Sequence, residues 1–155
     1  MVRLATQVFV PAGFEPPLGL DAVAFRLEPL GPEHSGRDYA AWSSSIEHIL
    51  ASPGYGPESS WPHEMSLEEN LGDLERHARD FAERTGFTYT VLDADDDVVG
   101  CVYVYPARDD EHDVRVQSWV RASRAELDMP LREVVAGWLA RDWPFERPFY
   151  APLLG

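Results

Sequence analysis

The 155-residue chain combines 45% hydrophobic residues with a formal net charge of -14, which arises from 27 acidic and 13 basic side chains. This length suits one globular domain with its own core, and the apolar content excludes a disordered chain. The negative charge disfavours nucleic acid and anionic membranes as partners, because their phosphate groups would be repelled.

The cysteine and histidine content limits the chemistry further. Cys101 is the only cysteine, so no intramolecular disulfide forms, and its apolar surroundings predict a buried, unreactive thiol. The five histidines show no paired Cys/His spacing, so no metal site is expected. The N-terminus lacks the apolar core of a secretory signal and no run reaches transmembrane length, which predicts a cytoplasmic protein.

The first elements in the chain are an irregular arm, a strand and a helix. Proline and glycine residues predict an N-terminal arm over residues 1–22, with a possible short strand at Gln7–Val10. Residues 23–155 are predicted to form a single domain. Alternating apolar residues predict a strand at Val23–Leu30. An apolar stripe at helical spacing then predicts one helix over residues 32–51.

A second helix has a clear start and end in the sequence. Ser66 and Glu69 have the spacing of a capping box, in which each side chain bonds the other residue's backbone N–H. Gly86 is the expected stop. The predicted buried face consists of Leu67, Leu71, Leu74, Ala78 and Phe81.

Three strands and a crossover complete the predicted fold. β-branched and aromatic runs predict strands at residues 87–93, 98–106 and 113–121. A helical stripe over residues 128–139 precedes a last strand at Phe145–Tyr150. A strand, a helix and another strand require a crossover, so the last strand should run parallel to its predecessor. The predicted class is α+β, with a mixed, mostly antiparallel sheet and helices on both faces.

Two segments carry a family resemblance. The hairpin FTYTVLDADDDVVGCVYVYP and the run QSWVRAS before a helix resemble the GCN5-related N-acetyltransferase (GNAT) superfamily. The resemblance covers residues 23–150 and implies the acyl-CoA N-acyltransferase fold of a divergent member. It further implies acetyl-CoA as cosubstrate and transfer of its acetyl group to a small amine.

The resemblance also implies which residues bind the cosubstrate. In the family, the strand before the crossover helix diverges from the next strand and pairs with the pantetheine arm, and the following turn binds the pyrophosphate. The implied pantetheine residues are Trp119, Val120 and Arg121. The implied phosphate contacts are Arg124, Ala125 and Arg132. The usual glycines are replaced by Ala125, Leu127 and Met129, and Pro130 removes a backbone donor.

Amine acetylation needs a base for the ammonium proton and an acid for the departing sulfur. Glu111 is a candidate base beside the diverging strand, although a solvated turn is the alternative interpretation. Tyr150 is the candidate acid, because family members often use a C-terminal tyrosine. Only five residues follow Tyr150, whereas family members usually continue with a helix and two strands.

The glycine-free turn leaves a second function open. The chain is then a catalytically inactive GNAT-fold binding protein or a homo-oligomeric scaffold such as a homodimer, with an altered or lost CoA site. Trp61, in a loop rich in turn-forming residues, is the candidate contact for a substrate or partner.

Overall fold

The computed structural model describes residues 8–55 and 60–151, which include one six-stranded sheet with strands in sequence order. The first five strands pair in antiparallel fashion, and β6 pairs in parallel with β5. The predicted α+β class and the parallel last strand are therefore confirmed. The strands are β1 (Leu20–Asp21), β2 (Arg26–Pro29), β3 (Phe87–Leu92), β4 (Val98–Tyr105), β5 (Val114–Val120) and β6 (Pro148–Tyr150).

Helices cover both faces of the sheet, as predicted. Because side chains alternate along each strand, the sheet carries two separate apolar clusters. One contains Trp138 of the last helix, and the other contains Trp42 and Ile49 of the first two helices. No helix among the described residues is long and apolar enough to cross a membrane. The helices are α1 (Ser35–Ser43), α2 (Ile46–Leu50), α3 (Leu67–Glu83) and α4 (Asp128–Asp142), with 3-10 turns at Pro32–His34 and Ala122–Leu127.

The N-terminal segment is more ordered than an irregular arm suggests. Val10 is buried, and Leu20–Asp21 form the edge strand β1. Residues 8–10 form no strand, and Gln7 lies outside the described residues. The strand predicted from Val23 begins only at Arg26, and Val23 is fully exposed.

The single helix predicted over residues 32–51 is wrong, because the structure breaks it at Ser44 and Ser45. Each of these hydroxyls donates a hydrogen bond of 2.8 Å to a carbonyl four residues earlier, at Ala40 and Ala41. Such bonds compete with the backbone ladder and favour a helix end. The break gives two helices, α1 and α2, and turns the Ser45 side chain inward.

The capping box of α3 is confirmed, but part of its predicted buried face is wrong. Ser66 Oγ accepts from the Glu69 N–H at 3.0 Å, and the Ser66 N–H donates to Glu69 at 2.9 Å. Leu67 and Leu71 are exposed, whereas the polar Asn70 is buried. Asn70 accepts a 3.0 Å hydrogen bond from Trp42 Nε1, which offsets its burial.

Gly100 sets how closely β4 and β5 approach each other. A Cβ atom at this position would lie 2.5 Å from the Trp119 carbonyl oxygen. The glycine therefore permits a close backbone contact in the middle of the sheet. On the other side of β4, the pairing register of β3 and β4 shifts between Val91 and Leu92, which is typical of a β-bulge.

The described pairing of β5 and β6 covers only the first half of β5. Their pairing runs from Val114 with Pro148 to Val116 with Tyr150. Beyond Val116, β5 continues to Val120 with β4 on one side and no described strand on the other. Within the described chain this stretch of the β5 edge has no strand partner, and we call it the opening beside β6.

Candidate functional site

A pocket of about 960 Å³ lies over β4 and β5 on the sheet face that carries α1 and α2. We call it the sheet pocket. Asp38 of α1 and the polar face of α3 border one side, and Gly54, Tyr55 and Trp61 border the other. Tyr103 and Tyr105 of β4, together with Arg115 and Gln117 of β5, also line it. The pocket volume lies in the range of small-molecule binding sites.

Asp38 is the most deeply buried carboxylate of the sheet pocket, with only 4% of its surface exposed. Burial raises the pKa of Asp38 to about 6, while the hydrogen bond from Asn70 and the nearby His34 act in the opposite direction. The Asn70 amide donates to Asp38 at 3.3 Å. A carboxyl group whose pKa lies near neutrality can take up and release a proton at physiological pH.

His77, Tyr105 and Asp80 form a hydrogen-bonded chain along the α3 side of the pocket. The Tyr105 hydroxyl donates to Asp80 at 2.9 Å and lies 3.0 Å from His77 Nδ1. Thr88 Oγ1 also lies 3.0 Å from the same nitrogen. Burial, and then the charge of Arg76, lower the pKa of His77 to about 4, so this imidazole is neutral at pH 7.

The segment at Gly54 is fixed to the middle of β5. Gln117 Nε2 donates a 2.8 Å hydrogen bond to the Gly54 carbonyl, and Gly54 has a φ of 91°. A Cβ atom on Gly54 would lie 2.7 Å from Gln117 Nε2. Both the positive φ and the close approach favour glycine here. Trp61, the predicted contact residue, lines the pocket and packs 6.0 Å, ring to ring, from Trp119.

The predicted pantetheine residues lie at the opening beside β6. Trp119 is buried and donates from Nε1 to the Tyr103 hydroxyl at 2.9 Å, and Val120 is buried. Tyr150, the last residue of β6, packs on the α4 side of the sheet, and its hydroxyl lies 2.5 Å from Ser118 Oγ. Burial raises the pKa of Tyr150 to about 12, so its hydroxyl stays protonated. An extended pantetheine arm that pairs as a partial strand would need this edge of β5, which has no strand partner among the described residues.

The turn after β5 does not fit a pyrophosphate in the usual way, because its backbone donors are used within the chain. The Ala122 N–H donates to Ser45 Oγ at 2.8 Å, and the Arg124 N–H donates to the Arg121 carbonyl at 2.9 Å. The Asp128 N–H likewise donates to the Ala125 carbonyl. The last two bonds belong to the 3-10 turn, which stands where the family has an open glycine-rich loop for the anion.

The predicted phosphate-binding arginines are also engaged. Arg124 lies 3.0 Å from Asp93 and 2.9 Å from Glu126. The Arg121 side chain donates to the Val98 carbonyl at 3.1 Å, and the Arg132 guanidinium lies 4.5 Å from the centre of the Tyr150 ring. A phosphate at this turn would therefore compete with existing ion pairs.

Glu111 lies in the exposed turn before β5, outside the sheet pocket. Its N–H donates to Asp109 at 2.9 Å, and its carbonyl accepts from Arg147 at 3.0 Å. Its backbone thus helps to fix the turn.

Among the described residues, no group of three His, Cys, Asp or Glu side chains is arranged to hold a metal ion.

Sequence reasoning missed Asp38, Tyr55 and His77 as pocket residues. Asp38 lies one turn before the apolar Trp42 and has no sequence signature of its own. Tyr55 lies in a loop rich in turn-forming residues. His77 was considered only as a metal ligand. The three come together because α1, α3 and the segment at Gly54 converge over the sheet, which depends on tertiary packing rather than on local spacing.

Solved structures that superpose on this chain include acetyltransferases. The ribosomal-protein-S5-alanine acetyltransferase of Vibrio fischeri superposes with a TM-score of 0.66 at 12% identity, over 86% of this chain and 73% of that one. The Salmonella typhimurium enzyme that modifies the N-terminal serine of ribosomal protein L7/L12 gives a TM-score of 0.63 at 11% identity, over 83% and 71% of the two chains.

A third neighbour has been solved with a cosubstrate. The microcin C7 self-immunity acetyltransferase MccE, in complex with acetyl-CoA and AMP, has a TM-score of 0.58 at 9% identity, over 76% of this chain and 63% of that one. No protein-family model and no curated protein matches the sequence. The chain has the GNAT fold, and the predicted resemblance is confirmed at the level of the fold.

Proposed function

We propose that the protein is an acyl-CoA-dependent N-acyltransferase whose acceptor amine binds in the sheet pocket. The observation that carries the proposal is the second half of β5, which has no strand partner beyond Val116 among the described residues and whose Gln117 lines the pocket. Acetyl-CoA, when bound, supplies the activated thioester. The backbone of Trp119, Val120 and Arg121 would hold its pantetheine arm. The acceptor is expected to be a small amine, because the pocket is enclosed on two sides by α3 and the segment at Gly54.

Asp38 is the proposed proton acceptor for the ammonium group of the acceptor. It lies in the pocket, is buried, and has a pKa of about 6, so it is ionised at pH 7 and still basic enough to accept a proton. Glu111 has no such position, since it lies in the exposed turn. Asp38 therefore replaces Glu111 as the proposed base.

Tyr150 is the proposed proton donor at the other end of the reaction. Its hydroxyl lies at the opening beside β6, within 2.5 Å of Ser118 Oγ, and is protonated at neutral pH. A donor at this place would protonate the departing sulfur. The Arg132 guanidinium over the Tyr150 ring keeps a positive charge near the tyrosinate that forms when the hydroxyl gives up its proton.

Binding of the cosubstrate tests the proposal. We expect saturable binding of both acetyl-CoA and S-acetyl-pantetheine in titration calorimetry. Their affinities should be similar, because the strand edge fits the shared arm and the turn gives the phosphates few free donors. Binding of neither compound at millimolar concentration would refute an acyl-CoA-dependent reaction.

The engaged donors of the Ala122–Leu127 turn favour a second candidate function. In it, the protein keeps the GNAT fold as a binding protein or homo-oligomeric scaffold and has lost the CoA site. The sheet pocket then binds a ligand without acyl transfer. Size-exclusion chromatography with light scattering measures the homodimer expected of a scaffold, and a monomer that binds acetyl-CoA would contradict this alternative.

A further inference from the structure

The carboxylates of the sheet pocket already have partners within the protein. Asp38 accepts from the Asn70 amide at 3.3 Å, and Asp80 accepts from the Tyr105 hydroxyl at 2.9 Å. Asp73 forms an ion pair with Arg76 at 2.8 Å. The acidic side of the pocket is therefore largely satisfied without a ligand.

The arginines on the β5 side of the pocket are in the opposite situation. Neither Arg108 nor Arg115 forms an ion pair with a carboxylate of the described residues, although the chain has 27 acidic residues. Arg115 donates one hydrogen bond, to Gln117 Oε1 at 2.6 Å, while its Nε–H is buried without a partner. Burial, and then the charge of Arg108, lower the pKa of Arg115, so the two guanidinium groups destabilise each other.

Tyr55 adds a third unused donor to the same pocket. The residue is only 4% exposed, and its hydroxyl is buried without a hydrogen-bond partner in the described structure. Gly54, fixed to β5 through Gln117, holds Tyr55 over this strand. Burial raises the pKa of Tyr55, so the hydroxyl remains a donor at neutral pH. Buried donors of this kind usually have an acceptor, and its absence marks a place for a ligand.

We propose that Arg108, Arg115 and Tyr55 form an oxyanion-binding site on the β5 side of the sheet pocket, which takes a carboxylate or phosphate group of the acceptor. All three line the same cavity, and the forked guanidinium group matches the geometry of both anions. The acceptor is thus an amine that also carries an acidic group. That the ligand of this site is the acyl acceptor rests on the proposed function. The anion site itself rests on the unused donors.

Three probes with a common aminoethyl group test the site: β-alanine, 2-aminoethyl phosphate and β-alaninamide. Binding is measured by titration calorimetry at constant ionic strength, without any thioester. All three carry an ammonium group, and the first two, here called the anionic probes, also carry an oxyanion. We expect one of these two to bind at least about tenfold more tightly than the amide, which cannot form the charge-assisted hydrogen bonds. Which anion binds more tightly distinguishes a carboxylate from a phosphate ligand.

Matched variants assign the effect to these residues. Arg115→Met and Arg108→Met should each reduce the preference for the anionic probe to about threefold or less, and Tyr55→Phe should reduce it in part. Arg79→Met is the control, because Arg79 is an exposed arginine of α3 that does not line the pocket. It should keep the full preference. Arg108 lies in an exposed turn, so its variant tests the site even if Arg115→Met does not fold.

The outcomes separate this inference from the proposed function. Equal binding of the three probes, or no saturable binding of either anion, overturns the anion site. An unchanged preference for the anionic probe in both arginine variants also overturns the anion site. Anion binding by a protein that does not bind acetyl-CoA supports the site and refutes its assignment to an acyl acceptor.

Discussion

At the scale of single residues, Asp38 makes the sharpest prediction about the reaction. Asp38→Asn keeps the shape of the side chain and its contact with Asn70 but removes the group that accepts a proton. If the protein is an acyltransferase, kcat should fall about 100-fold or more. The decline of wild-type activity below pH 6, which follows from the pKa of about 6, should be absent from the residual activity of the variant. A pH profile of kcat measures both effects.

Asp73→Asn is the matched control for this prediction. It also removes a carboxylate from the sheet pocket, but Asp73 is paired with Arg76. We expect a loss of kcat smaller than tenfold and an unchanged acidic limb. Equal losses in the two variants would mean that Asp38 acts only through the overall charge of the pocket.

Residues at the site were harder to predict from sequence than the elements that carry them. Ser66 and Glu69 form a motif within four residues, and the structure confirms it. Tyr55 and Arg115 are separated by many residues and meet through the sheet pocket. Their importance lies in unmet hydrogen bonds, which no local pattern encodes. The burial of the polar Asn70 was also missed, because its hydrogen-bond partners Trp42 and Asp38 lie far from it in the sequence.

At the scale of secondary structure, the pairing of β4 with β5 depends on one glycine, Gly100. In Gly100→Ala the new Cβ would meet the Trp119 carbonyl at 2.5 Å, and backbone atoms cannot move aside as a flexible side chain can. We expect the free energy of unfolding to fall by about 1–3 kcal/mol. Urea denaturation followed by circular dichroism measures the change.

Gly137→Ala provides the opposite case. Gly137 lies inside α4, and a Cβ atom there would meet nothing within 4 Å. Alanine in a helix interior is more stable than glycine by about 0.5–1 kcal/mol, so this variant should be stabilised. Destabilisation of both variants to the same extent would contradict the role given to the Gly100 contact.

The sequence predicts the helices and strands correctly wherever a single local pattern determines them. The three strands β3, β4 and β5 were predicted to within one or two residues, because their apolar and β-branched runs are bounded by acidic turns. The break at Ser44 and Ser45 was not predicted, since the apolar stripe continues across it and only the serine hydroxyls end α1. The serine hydroxyls compete for backbone carbonyls and divide into α1 and α2 a segment whose apolar periodicity predicts one continuous helix.

At the scale of the whole molecule, the net charge of -14 is a poor guide to the pocket. Acidic residues predominate in the chain, yet the sheet pocket contains Arg108 and Arg115, which form no ion pair with a carboxylate of the described residues. Surface charge controls solubility and long-range steering, while binding specificity depends on the local balance of donors and acceptors. The proposed acceptor is for this reason an amine that also carries an acidic group, and not a simple amine.

Two buried groups should give the pH dependence of stability opposite contributions. The pKa of His77 falls from 6.5 to about 4 on folding, so its contribution to stability is present above pH 6.5 and is lost as the pH falls through 4. The pKa of Asp38 rises from 3.8 to about 6, so its contribution is present below pH 3.8 and is lost as the pH rises through 6. Between pH 4 and 6 the two slopes oppose each other in the wild-type protein.

Single variants should expose each slope. Relative to wild type, Asp38→Asn leaves the His77 slope unopposed, so its free energy of unfolding should rise more steeply from pH 4 to 6. His77→Gln leaves the Asp38 slope, so its free energy of unfolding should rise less steeply or fall. Each difference in slope is at most about 1.4 kcal/mol per pH unit. The other carboxylates contribute equally to all three proteins and cancel, and the exposed Asp142→Asn should follow wild type. Urea denaturation at pH 4.5, 5.5 and 6.5 measures these slopes, and parallel slopes would show that neither group titrates abnormally in the folded protein.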